Sequence, residues 1–138
     1  MAIKNVDKLL RKFNNLENID ITPIIGQAAI IVQKKAKALC PKDTGILRGS
    51  ISVEVERQNK LFIGRVFTVI EYAKYVEFGT GIKGNGSYEY PVNLTYHDTW
   101  KGMKAQPYMY PALIQSKKQV ISFVKEEYNK ALLSIVGG

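Results

Sequence analysis

One cysteine and one histidine are all that 138 residues offer of the side chains most used for zinc ligation and nucleophilic chemistry. Cys40 alone cannot form an internal disulfide, so no covalent staple is expected in this fold. The same scarcity excludes zinc sites of the usual Cys/His types. Cys40 reads as a small apolar residue at a helix end, and His97 lies far from it on another segment. Long apolar runs are missing as well. The longest is the five residues Ala28–Val32, against roughly 20 needed to span a bilayer. Met1-Ala2-Ile3-Lys4-Asn5 has neither the apolar stretch nor the small-residue cleavage site of a signal peptide. The expectation is a protein that folds in a cytoplasm, or in something assembled there, with no membrane partner.

Phosphate cradles of the GxxxxGK[ST] form are also absent. Gly79, Gly81 and Gly84 match GxGxxG in letters only, since the run continues into further glycines instead of a long helix. A dense basic run is lacking too, although the net charge is +8. Residues 1–45 carry +4, 46–80 carry +1 and 81–138 carry +3. Nucleic acid is a partner to consider at this charge, but the even spread argues against a focused binding stripe.

What is present suits a single domain over residues 1–138, with 46% hydrophobic and 23% charged residues. Val6, Leu9, Leu10, Phe13 and Leu16 recur at helical spacing over Asn5–Leu16, opposite a basic face. A second helix is predicted from Thr22, whose hydroxyl can cap it, with Pro23 at its first position and Pro41 ending it. Its stripe runs through Ile25, Ala28, Ala29, Val32, Ala36 and Leu39, and the alanines permit close approach of another element.

From Ser50 the period becomes two. Ile51, Val53 and Val55 alternate with polar residues, and Leu61–Ile70 returns after a turn at Gln58-Asn59-Lys60. Apolar residues on both faces of the return strand suggest the more central position. Glu71–Phe78 reads as one or two helical turns, and Tyr90–Tyr96 as a weak strand. A helix is predicted from Pro111 to Gly137-Gly138. Helices flanking consecutive strands give an α+β fold: a small antiparallel sheet with N-terminal helices and a long C-terminal helix. The glycine-bearing stretch at about 79–106 reads as a flexible insert.

Catalysis finds no constellation. His97-Asp98 are loop neighbours that usually point apart, and Glu71 and Glu77 do not face each other across a short turn. No catalytic residue, metal or cofactor is expected. Three segments are rich in backbone-special residues instead: Pro41–Ser50 with Asp43, Thr44 and Gly45; Tyr72–Gly81; and Gln106–Leu113. Asp43 or Thr44 can bond the N–H groups of a turn in which Gly45 takes positive φ. Each segment also reads as a well-made turn whose aromatics cap the core.

In order and spacing, these segments resemble the gene-product-ten-like family of long-tailed bacteriophages, named after phage HK-97. The family pattern A-P-x-D-T-G-x-L-R-x-S-I is matched by Cys40-Pro41-Lys42-Asp43-Thr44-Gly45-Ile46-Leu47-Arg48-Gly49-Ser50-Ile51. Y-A-x-Y-V-E-F-G-T is matched by Tyr72-Ala73-Lys74-Tyr75-Val76-Glu77-Phe78-Gly79-Thr80, followed by Gly81. Q-P-F-x-x-P-A is matched by Gln106-Pro107-Tyr108-Met109-Tyr110-Pro111-Ala112. Cys40 in place of a small residue, Tyr108 in place of phenylalanine, and the insert between Gly81 and Lys104 are the departures.

The resemblance implies a structural, non-enzymatic virion protein made in the bacterial host cytoplasm and assembled at the head–tail junction or upper tail. It implies a ring of copies contacting head-closure, tail-terminator or tail-tube proteins, with DNA passing through the lumen unread. In such a ring the Ser50–Glu56 edge would pair by strand addition. The Gly79–Gly102 loop would order on docking. Tyr72, Tyr75 and Phe78 would anchor contacts, and Arg48 and Glu77 would form ion pairs at a rim. A basic DNA-binding accessory protein is the alternative.

Overall fold

Residues 6–42, 45–84, 87–89 and 101–137 are described by the computed structural model, and they form six helices and one β-hairpin. In chain order these are α1 (Val6–Glu17), α2 (Thr22–Leu39), α3 (Gly45–Ser50), β1 (Ser52–Gln58), β2 (Leu61–Phe67), α4 (Ala73–Phe78), α5 (Gly81–Gly84) and α6 (Met109–Gly137). The α+β class holds. Among the described residues no helix is long and apolar enough to cross a membrane.

Helix α2 is the element on which the rest is built, because both the hairpin and α6 pack on it. Its stripe works as the sequence indicates: Ala28, Ala29, Val32 and Ala36 are buried. The cap differs. Thr22 Oγ1 donates to Asp20 Oδ1 at 2.6 Å, and the Thr22 N–H donates to the same oxygen at 2.9 Å. A charged carboxylate is the stronger acceptor, so Asp20 takes the role expected of Thr22. The hydrogen bond from the Thr22 side chain, followed by that from its backbone, holds the Asp20 carboxyl below its usual range.

The hairpin closes through Asn59-Lys60, with Asn59 at φ 59°. Its antiparallel register sets Val53 opposite Val66, Val55 opposite Gly64 and Arg57 opposite Phe62, which puts these residues on one face. That face rests on α2. A Cβ at Gly64 would stand 3.0 Å from Ile25 Cγ2 and 3.4 Å from Ala29 Cβ, so the missing side chain permits the close approach. The central position expected of the return strand is not found: the sheet has two strands among the described residues, and Leu61 is exposed. Apolar residues lie on its α2-facing side because a helix, not a third strand, covers it.

Helix α6 runs for 29 residues, and Ala112 and Ser116 are buried on it. Their small side chains let it lie close along α2. Leu113 and Ile121, which follow the helical period together with Val120 and Val124, are exposed instead. Helix α1 forms where its period predicts it, yet its apolar face is not packed away. It buries no residue, and Val6, Leu9, Leu10 and Phe13 all remain exposed. The turn expected over Pro41–Ser50 is helical from Gly45 onward, and Gly45 does not take the positive φ expected of it; Asp43, Thr44, the expected Tyr90–Tyr96 strand and His97-Asp98 lie outside the described residues.

Candidate functional site

Glu77, on the short α4, turns inward. Its Oε2 accepts the backbone N–H of Tyr108 at 2.8 Å and of Met109 at 2.9 Å, and its Oε1 accepts that of Tyr110 at 3.1 Å. An α-helix begins with four N–H groups that have no partner within it. In α6 three of them go to this one carboxylate. The fourth position is Pro111, which has no N–H, and the ladder starts with Ala112 N–H donating to Tyr108 O at 3.2 Å. A negative charge at a helix N-terminus also suits the helix dipole. The second and third motifs are therefore the two halves of a single joint.

The first motif closes the same core. Leu47 and Ile51 are fully buried beside Ala36, Cys40, Tyr108 and Ala112. Arg48 Nη2 donates to the Cys40 carbonyl at 2.9 Å, tying α3 to the end of α2. The Tyr108 ring is fully buried, and burial, followed by the nearby Glu77 charge, pushes its phenol well above the ordinary tyrosine range. Glu77, expected at a rim, is instead a joint inside the subunit, because main-chain groups brought from elsewhere in the chain claim it, whereas Arg48 stays half-buried beside the end of α2.

The glycines after α4 close the base of the insert. Gly79 has φ 79°, and a Cβ there would stand 2.6 Å from Ala105 N and 2.7 Å from Met103 O. Thr80 and Met103 form a bridge in which each N–H donates to the other's carbonyl at 2.8 Å. Gln106 N–H donates to Val76 O at 2.8 Å, and Gly81 and Thr80 are buried. The two stalks of the 79–106 insert are thus fixed to one another.

Two concavities open at the surface around this joint. The larger is an open groove of about 710 Å³ with mostly apolar walls, formed by α2, β2, α4 and the first half of α6. Phe78, Glu77 and Tyr108 reach it. Phe78 packs edge-on against Tyr88 with ring centroids 4.9 Å apart. The smaller concavity, from Thr68 to Tyr75, carries the exposed Tyr72 and Tyr75, with Lys74 Nζ lying 5.1 Å from the Tyr75 ring centroid. The three expected anchors are therefore split: Tyr72 and Tyr75 face outward at one site, and Phe78 lines the other. Gly45 is exposed, and Pro107 is half-buried. Pro111 and Leu47 are buried in the packing.

The sequence reading missed the other groove walls, Ile25 and Ala29 on α2, Phe62 and Val66 on β2, and Leu113 and Val120 on α6. The signal was the apolar face of β2 together with a stripe on α2 wider than one neighbour can cover. No group of three or more His, Cys, Asp or Glu side chains that could hold a metal ion occurs among the described residues.

Residues 3–79, more than half of the chain, match the family model HK97-gp10_like, described as "Bacteriophage HK97-gp10, putative tail-component". The matched span contains the first two motifs up to Gly79, and the Gln106–Ala112 motif lies beyond it. No curated protein and no solved structure matches the chain.

Proposed function

The chain belongs to the HK97-gp10-like family, and from that premise we propose that it is a structural protein of a long-tailed phage or prophage virion that acts in head–tail joining or tail completion as one copy of a ring. The observation that carries this reading is the family match over residues 3–79. The structure is consistent with an assembly part. Its motif residues lock a rigid hub, while Tyr72, Tyr75, the groove and the apolar face of α1 stay turned outward. Contacts to head-closure, tail-terminator or tail-tube proteins would use such surfaces, and the two-stranded hairpin offers an edge for strand addition. The dispersed positive charge would ease passage of DNA through a lumen without base reading.

Deletion of the gene from its phage or prophage, with induced lysates viewed by electron microscopy, tests the reading. Filled heads and separate tails with few joined particles are expected. Intact infectious particles would overturn the head–tail role. A steeply salt-dependent DNA affinity of the free chain would then favour the DNA-binding alternative.

A further inference from the structure

Two apolar features at different places on this chain are left open by the other described residues, and the second is long enough to take the first. Leu9, Leu10 and Phe13 on α1 are 54%, 59% and 56% exposed, on a helix with no buried residue. The groove between α2, β2 and α6 is open and apolar. Helix α1 has 12 residues, about 18 Å of axis at 1.5 Å per residue. The groove wall on α6 runs from Met109 to Val124, about 22 Å by the same rise, long enough to take the whole of α1.

Helix α1 does not cover the groove of its own chain. It sits at the far end of α6, where Lys12 Nζ donates to the Val136 carbonyl at 2.8 Å. Val136 lies about 18 Å along α6 beyond Val124, the last groove residue on that helix. We propose that the occupant of the groove is a second copy of this chain: the Leu9–Phe13 face of one subunit seats in the α2–β2–α6 groove of the next. Helix-in-groove docking of this kind reads an amphipathic helix through residues spaced by three and four, and Leu9, Leu10 and Phe13 have that spacing. Phe13 is the anchor, being the largest apolar side chain on the exposed face.

The contact is heterologous, since helix and groove are different patches. Each subunit then offers one helix and one groove, and copies add head to tail until rotation closes a ring. The interface deepens the ring reading and rests on it for its role in the virion, but it can be measured without it.

The test places a benzophenone amino acid at position 13 in the full chain, mixes isotopically light and heavy copies, and maps the photo-crosslinked peptides. Light-to-heavy links from position 13 to α2, β2 or the first half of α6 are expected. Links confined to one chain, links to another surface, or a wild-type chain that stays monomeric and unlinked overturn the proposal. Phe13→Asp and Leu113→Asp alter exposed positions on the two sides. Each is expected to weaken self-association by about tenfold or more with an unchanged helical circular-dichroism signal; unchanged association overturns the interface. Normal particles built with Phe13→Asp would also sink it while leaving the virion role intact. Absence of the wild-type chain from purified particles would sink the virion role, and the crosslink in solution would still decide the interface.

Discussion

Glu77 Oε2 lies 2.8 Å from the backbone nitrogen of Tyr108, a contact across 31 residues of chain that starts the longest helix of the protein. The carboxylate is buried, yet it is satisfied, because three backbone N–H groups converge on it. Such a group costs little while its donors are present and much when they are stranded.

Removing that carboxylate should therefore be expensive. Glu77→Ala is expected to lower unfolding free energy by about 3 kcal/mol, since buried donors lose their acceptor at 1–3 kcal/mol each and water reaches some of them. Glu77→Gln, which keeps the shape but not the charge, should cost about half as much. Urea unfolding followed by circular dichroism checks both, and a loss below 1 kcal/mol for the alanine variant would refute the capping role.

Tyr108 should make the protein sensitive to high pH. Its folded phenol titrates above the ordinary value of 10.0, chiefly because it is buried. The stabilising difference is complete below that ordinary value. Above it the unfolded chain releases a proton that the folded chain retains, so stability falls as pH rises. Thermal unfolding at pH 8, 10 and 11 should show a steeper decline for the wild type than for Tyr108→Phe. Equal slopes would refute this account.

Two glycines should respond in opposite ways. Gly79→Ala combines a positive φ with main-chain atoms 2.6–2.7 Å from the new Cβ. It is expected to destabilise by about 2 kcal/mol or more. Gly49→Ala meets nothing within 4 Å inside α3 and is expected to stabilise by about 0.5–1 kcal/mol. Denaturant midpoints of the two variants give the comparison.

Tyr72 and Tyr75 should matter for assembly and not for folding. Both rings are exposed on the outer side of α4, so the double alanine variant is expected to unfold within about 0.5 kcal/mol of the wild type. Supplied in trans to a deletion, it should yield fewer joined particles. Full complementation would remove these tyrosines from the contact surface.

Much of the fold was legible because it is local. The 3.6-residue period of α2 and the two-residue period of the hairpin report backbone hydrogen bonding between near neighbours, and Pro23, Pro41 and the Asn59-Lys60 turn punctuate it. The buried line of α6 was harder to read, because close packing on α2 selects the small Ala112 and Ser116 over the more hydrophobic Leu113 and Ile121.

By itself the sequence determined the class of the fold, the ends of its main helices to within two residues, and two motifs that lie inside the span matched by a phage tail-component family. Tertiary structure alone decided what those motif residues do. Glu77 reads as a surface carboxylate until the chain brings Tyr108, Met109 and Tyr110 back to it. Arg48 donates to the Cys40 carbonyl, 2.9 Å away, while staying half-buried. Likewise, the apolar face of α1 reads as core, and only the packed subunit leaves it outside. Periodicity states that a face must be covered, whereas the positions of the other elements state by what.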